Sequence, residues 1–244
     1  KGKTNYLWAP YYAYSREEHK KSDGWTIDKE GMQPFNIANY KDEKDITVYA
    51  KWVDCVTVRF DSNGGYFEYI NAIDGSTPEI YLMKCKVGDA LGTHPYVSNK
   101  DPFKLFDGWY FDKEFTKKPD AEMMYLYEPK EDTIFYAKWR DKYRLTMDAC
   151  GGYLMDDSEK TEIKTIPIIP GDTMSELYAN EPLHKDKHYK FDGWYWDKEY
   201  TKPANGYEVA EKDATVYAKW KECFVVTFDA NGGYFSNPTS TIRQ

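Results

Sequence analysis

Along this chain apolar and polar residues alternate every second position in short runs, and the 3.6-residue stripe of an amphipathic helix is nearly absent. Residues 56–61 read VTVRFD, the alternation of a half-buried strand. Asn63-Gly64 follows directly, and both residues tolerate positive φ, so the chain is set to fold back as a hairpin. The return strand is predicted over residues 80–86 and, in a second occurrence, around residues 161–169. FDGWYFDKEF at residues 106–115 and FDGWYWDKEY at residues 191–200 predict a strand with a tight turn at Asp-Gly, and the runs at 133–139 and 215–220 predict closing strands. TMSELYAN, just after Gly171-Asp172, predicts the single short helix, with Asp172 or Thr173 as its cap.

These elements recur. YAKW begins at Tyr49, Tyr136 and Tyr217, and the hairpin phrase appears as FDSNGGYF from Phe60, MDACGGYL from Met147 and FDANGGYF from Phe228. Both phrases step by 87 and then 81 residues, and DGW recurs at Asp23, Asp107 and Asp192. Separate phrases keeping one period make the chain a tandem array. It reads as an incomplete copy at residues 1–53, complete copies at 54–140 and 141–221, and the first strand and turn of a further copy at 222–244. Within the closing strand, Val48, Ala50 and Trp52 match Phe135, Ala137 and Trp139 on one face, which is assigned to the core, with Trp220 as their counterpart. Trp25, Trp109 and Trp194 are assigned to the core in the same way, because a position shared by every copy most simply serves the fold of each copy. The fold expected is α+β and β-rich, an elongated array of small units joined by linkers of two or three residues.

Composition sharpens this picture. Aromatic residues make up 18% of the 244 residues, 23 of them Tyr, and aromatic side chains favour pleated, half-buried strands. The mean hydropathy of −0.81, with no long apolar run, excludes a membrane-spanning helix in this stretch. A net charge of −8 argues against nucleic acid, whose phosphates call for a basic face. Four cysteines are too few for a disulfide scaffold and lack paired zinc spacings. Cys85 falls late in the return strand, where it is a candidate to face Cys55 across the hairpin, although free or half-buried thiols are the favoured reading. Cys150 replaces the turn Asn of the other copies, which puts the ordinary hairpin geometry there in question.

Candidate chemistry is thin. His184 and His188 have the four-residue spacing of a helical metal pair, but no third ligand recurs nearby and HKDKH reads as a solvated charge cluster. Asp156, Asp157 and Glu159, and separately Asp61 with Asn63, carry carboxylates suited to calcium without the full ligand loop. No Ser and His recur in a triad-like setting, and there is no phosphate-cradling glycine loop. The reading assigns no catalytic residue, cofactor or metal.

The set TVxFDxNGG, then GD, then FDGWYxDKE, then DxTVYAKW resembles the Listeria-Bacteroides repeat family over essentially the whole chain. That resemblance implies a β-grasp module strung in tandem on secreted or wall-anchored bacterial proteins, without catalytic residues. Two function classes follow: a spacer and adhesin stalk that binds a host or bacterial surface protein, or a glycan-binding module. The second rests on Tyr110, Phe111, Tyr195 and Trp196, read as outward aromatics suited to stacking on sugar rings. In the first copy Thr26 and Ile27 stand in their place.

A last expectation concerns residues 224–235, whose first strand has no closing strand to pair with in its own copy. An apolar strand with unpaired backbone groups seeks a sheet. It is expected to dock on the third copy or to add to the first copy of a neighbouring molecule, giving head-to-tail self-association.

Overall fold

The computed structural model describes residues 13–37, 45–70, 75–119, 124–156, 158–229, 231–233 and 242–243. The chain divides into two compact units, Lys1–Lys100 with Phe106–Arg140 and Asp101–Leu105 with Asp141–Gln244. Among the described residues both are β-rich with mixed sheets.

The first unit carries β1 (Lys20–Thr26), β2 (Pro34–Phe35), β3 (Tyr49–Asp61), β4 (Ile80–Lys86), β5 (Lys104–Tyr110) and β6 (Thr133–Asp141). Its sheet runs β2-β1-β3-β6-β5, with β4 also on β3. The organising element is β3. Its thirteen residues, YAKWVDCVTVRFD, hold neither Gly nor Pro, so nothing interrupts the ladder between the closing strand of the first copy and the first strand of the second. The front half of β3 pairs antiparallel with β1, as in Trp25 opposite Ala50. The back half lies between β4, antiparallel, and β6, parallel, with Phe60 opposite both Tyr81 and Phe135. No linker separates the first two copies here.

The second unit carries β7 (Tyr143–Asp148), β8 (Leu154–Asp156), β9 (Glu159–Thr161), β10 (Ile163–Ile168), α1 (Glu176–Ala179), β11 (Tyr189–Tyr195), β12 (Pro203–Ala204), β13 (Ala214–Glu222), β14 (Phe228–Asp229) and β15 (Ile242–Arg243). Its main sheet runs β10-β7-β13-β11-β12, and β7 pairs parallel with β13 as the back half of β3 does with β6. The pairs β8–β9 and β14–β15 form separate two-stranded ribbons.

Each unit closes over an aromatic-rich core. In the first, Phe60 sits 5.4 Å from Phe135 and 5.0 Å from Trp109 between ring centres, geometry that adds to simple burial. In the second, Leu145, Met147, Trp194, Val216 and Ala218 fill the equivalent volume.

Two local expectations give way. The helix is only four residues long, its N-cap is Ser175, and that side chain makes no capping bond. Neither Asp172 nor Thr173 caps it, because both lie before its first turn: Asp172 sits in a bend, donating its N–H to the Ile169 carbonyl at 3.0 Å and accepting from the Ala210 N–H at 2.9 Å, and Thr173 bridges to Val209. The Asp-Gly of DGW is a bulge inside a strand and not a turn. The register of β1 on β3 shifts between Ser22 and Trp25, and that of β11 on β13 between Phe191 and Gly193. Gly24, Gly108 and Gly193 take φ of 97°, 130° and 131°, which a side chain would resist. The extra residue puts Phe106 with Trp109, and Phe191 with Trp194, on one face, with ring centres 5.2 and 5.4 Å apart.

The thiols stay apart for a geometric reason. Val56 stands opposite Cys85 and Lys86 opposite Cys55, so the two cysteines lie on opposite faces of the β3–β4 ladder, and both are free.

Candidate functional site

Three recurrent constellations occupy the shared phrases. The first joins the hairpin turn to the closing Trp. Asp61, Asp148 and Asp229 each accept, through Oδ1, the backbone N–H two residues on, at 2.9, 2.9 and 2.8 Å. The residue receiving that bend, Asn63, Cys150 or Asn231, has φ of 46°, 48° and 43°. The turn at Cys150 therefore keeps the geometry of its counterparts. Over the turn lies the indole of Trp139, donating Nε1–H to the Ser62 carbonyl at 2.9 Å, and likewise Trp220 to Ala149 at 2.8 Å. A Cβ at Gly65 would run into the Trp139 ring and lie 2.5 Å from the Ser98 carbonyl; one at Gly152 would meet Trp220 and lie 2.7 Å from the Leu183 carbonyl. The second Gly of each GG pair is thus the floor on which the Trp rests.

The second constellation is the DKE turn. Asp28 accepts the N–H groups of Met32 and Gln33 at 2.9 and 2.6 Å, Asp112 those of Thr116 and Lys117 at 2.9 and 2.7 Å, and Asp197 those of Thr201 and Lys202 at 2.9 and 2.8 Å. These donors, foremost Met32, Thr116 and Thr201, hold all three carboxyls below the usual carboxylate range. The Lys of the same phrase then reaches over the YAKW Tyr: Lys29 over Tyr49, Lys113 over Tyr136 and Lys198 over Tyr217, at 5.7, 5.3 and 5.1 Å.

The third constellation lies on the outer face of the DGW and YAKW strands. Lys138 sits 5.0 Å from the Tyr110 ring centre and 3.5 Å from Asp107, and Lys219 sits 4.8 Å from the Tyr195 ring centre and 3.6 Å from Asp192. Phe115 and Tyr200 pack edge-on against those tyrosines at 5.5 and 5.6 Å. Both take φ near 58°, unusual for an aromatic residue, where the first copy has Gly31. In that first copy Thr26 is buried instead and donates to the Asp28 carbonyl at 2.8 Å.

The four aromatics read as outward therefore divide. Tyr110 and Tyr195 are half-buried on the outer face under a lysine. Phe111 and Trp196 point inward: Phe111 lies 4.9 Å from Phe135, and Trp196 packs on the core while its Nε1–H donates to Glu208 at 3.4 Å. Alternation explains this, since a residue two along from the core Trp returns to the core side. Of the six tryptophans assigned to the core from the shared phrases, Trp109 and Trp194 are 4% exposed, and Trp25, Trp139 and Trp220 are half-buried. Trp52 is 39% exposed and does not join a core, because no described strand covers its face.

The metal candidates do not assemble. Residues 184–188 are not helical, His184 packs 4.9 Å from Trp220, and His188 is held by Asp186 at 2.8 Å. Asp156 pairs with Lys164 at 3.3 Å, and Asp157 lies outside the described residues. Among the described residues no three His, Cys, Asp or Glu side chains come together in a metal-holding group, and no helix is long and apolar enough to cross a membrane.

Turn, carboxylate cap and Trp lock thus coincide with the phrases that define the repeat, and the Listeria-Bacteroides repeat domain matches residues 57–138 and 143–219. The chain belongs to the Listeria-Bacteroides repeat family. No curated protein and no solved structure matches it. Membership accounts for the shared phrases as the skeleton of a repeat unit. The matched spans begin within β3 and at Tyr143, next to the first strand of each full copy.

Proposed function

We propose that this chain is a non-catalytic run of repeat modules from a bacterial surface or secreted protein, serving as an adhesin stalk and as a protein-binding region. The observation that carries this reading is how the recurring polar and aromatic groups are used. Each Asp of the DKE turn is bound to backbone N–H groups, each DKE Lys lies over a Tyr, and the locking indoles donate to backbone carbonyls. Catalysis would ask the recurring groups to face a substrate, whereas here they hold their own copy together. In this reading each copy is a reduced β-grasp module, the copies stand in tandem with boundaries at residues 54, 141 and 222, and the protein works outside the cell.

Partner contacts fall to exposed parts of positions that differ between copies, such as Tyr110 and Tyr195 where the first copy has a buried Thr26, and the partner is a host or bacterial surface protein. The glycan reading keeps one supporting observation, the half-exposed rings of Tyr110 and Tyr195. A lysine already occupies each ring face, so a sugar would have to displace it. The test is a glycan array and a panel of surface proteins probed with the purified chain beside its Tyr195→Ala variant. Binding to a protein with no glycan signal is the expected result; a glycan signal that disappears in Tyr195→Ala overturns it in favour of sugar binding.

A further inference from the structure

In six places the chain covers a tyrosine ring with its own lysine. Tyr49, Tyr110, Tyr136, Tyr153, Tyr195 and Tyr217 each lie near an ammonium, with Nζ between 4.3 and 5.7 Å from the ring centre. A positive charge is drawn there to the negative face of the ring. One pair of rings departs from this habit. Tyr178, on α1, and Tyr207, between β12 and β13, meet edge to face with ring centres 5.8 Å apart and planes at 61°, and they are 60% and 75% exposed. No described lysine or arginine is seated over either ring.

The pair is held in place by its own turn. Gly206, at φ 73°, gives Tyr178 its seat, since a Cβ there would come 2.9 Å from Cε2 of the ring. The Tyr178 hydroxyl donates to the Asn205 carbonyl, and the Tyr207 N–H donates to Asn205 Oδ1 at 3.0 Å. The Asn205 N–H is in turn shared by the two carboxylate oxygens of Glu208, each at 3.3 Å. Rings, turn and carboxylate therefore form one fixed constellation. Its surroundings have one sign: residues 172–182 and 203–211, which carry the two rings, hold Asp172, Glu176, Glu181, Glu208 and Glu211 and no lysine or arginine.

The second copy lacks the pair. The Leu91 N–H donates to the Tyr127 carbonyl as the Met174 N–H does to that of Glu208, a correspondence that matches Leu126 to Tyr207 and Pro95 to Tyr178.

We propose that Tyr178 and Tyr207 form a docking site for an arginine side chain of a partner protein, the guanidinium entering over the rings where the other tyrosines carry a lysine of the chain itself. A guanidinium is flat and weakly hydrated, so it stacks on an exposed ring while its N–H groups reach a carboxylate, here Glu208. The exposed Glu176, Glu181 and Glu211 draw basic segments toward the same loops. The site rests on the protein-binding reading above only in assigning the cation to a protein.

The probe is a fluorescein-labelled peptide of three glycine-serine-arginine repeats, beside the same peptide with citrulline for arginine, each titrated with the purified chain at physiological salt and followed by fluorescence polarisation. The arginine peptide is expected to bind, and the citrulline peptide, alike in shape but uncharged, to bind about fivefold more weakly or less. Tyr207→Leu, which installs the residue of the second copy at an exposed position, is expected to weaken the arginine peptide about fivefold with an unchanged circular dichroism spectrum. Tyr207→Phe keeps the ring and should retain binding, and Leu126→Ala should leave it unchanged. No binding of the arginine peptide, equal binding of the citrulline peptide, or binding that survives Tyr207→Leu overturns the proposal, the last by showing that the net charge of the chain suffices. The panel of surface proteins separates this site from the broader reading. A protein that binds Tyr207→Leu undiminished leaves protein binding standing and removes this site, whereas peptide binding at the rings with no protein partner keeps the site and removes the protein-binding reading.

Discussion

Trp52, Trp139 and Trp220 hold the same place in the same four-residue phrase, yet the first is 39% exposed and the other two lie half-buried over a glycine-floored turn. The strand forms in all three copies, and in the first it pairs with the DGW strand although no described first-strand hairpin lies beside it. What differs is the partner. Trp139 and Trp220 have a first-strand hairpin that offers a carbonyl and a flat glycine surface, and Trp52 has none among the described residues. A core position in a repeat is thus a property of two phrases acting together.

The largest expected break in that comparison comes from removing the indole. Trp139→Ala and Trp220→Ala each lose the half-buried ring packed on the core and the bond to Ser62 or Ala149, and should cost about 3 kcal/mol of unfolding free energy. Trp52→Ala should cost about 1 kcal/mol or less, since most of its ring stays in water. Urea denaturation followed by tyrosine fluorescence and circular dichroism separates the two cases. Equal losses at Trp52 and Trp139 would mean that the first copy has a covering that its exposure does not reveal.

Next in size is the floor. Gly65→Ala and Gly152→Ala drive a methyl into the indole and a backbone carbonyl, overpacking that should cost about 2 kcal/mol. At Gly64 the added Cβ meets nothing within 4 Å, and only the positive φ of 91° opposes it. Gly64→Ala should therefore cost about 1 kcal/mol. If the two adjacent glycines respond alike in thermal melts, backbone conformation rather than the Trp contact explains the GG pair.

These cases mark what was legible in the sequence. The alternation in residues 56–61 placed a strand where β3 runs, because one half-buried face imposes period two whatever the tertiary setting, and the Asn-Gly turn behind it called for the return strand that β4 supplies at residues 80–86. The DGW glycines are legible as special backbone, but a turn and a bulge ask for the same positive φ, and the pairings of β1 with β3 and of β11 with β13 distinguish them. Phe111 and Trp196 were assigned to the outside by their aromatic character, although their two-residue spacing from Trp109 and Trp194 already signalled the core side. Asp172 is a good helix cap by residue type, but its backbone accepts from Ala210 across the fold, and no local signal carries that long-range bond. Nothing local marked Trp52 as uncovered, since its phrase is identical to the others.

A smaller effect sharpens the comparison of Asn63 with Cys150, which share φ near 47° in unlike chemistry. Asn63 tolerates that conformation and donates its Nδ2–H to the Ala137 carbonyl at 3.0 Å. Cys150 has only a weak thiol donor, and burial pushes its ionisation up, so it sits there as a neutral group. Cys150→Asn should stabilise the third copy by about 1 kcal/mol, raising its midpoint in urea, and Asn63→Cys should destabilise the second by a similar amount. A loss of stability in Cys150→Asn would show that the thiol's surroundings have adapted to sulfur.

The smallest effect is expected to be the same in every copy. Asp28, Asp112 and Asp197 bind their turn N–H groups whether or not a first hairpin covers the neighbouring strand, and each has its pKa lowered from 3.8 by those bonds. A carboxyl whose folded pKa is depressed binds fewer protons folded than unfolded. Its contribution is fully present above the unfolded value and is lost as the pH falls through the folded one. Melting temperature should therefore be flat in this respect from neutrality to about pH 5 and fall below pH 4, and the fall should be shallower in Asp112→Asn and in Asp197→Asn than in the unmodified chain. Carboxyl carbon shifts followed by NMR between pH 6 and 2 should place all three groups below ordinary exposed aspartates. A titration of Asp28 at the ordinary value beside depressed ones for Asp112 and Asp197 would show that the turn depends on the covered strand after all, and would extend the difference seen at Trp52 to the whole hairpin of the first copy.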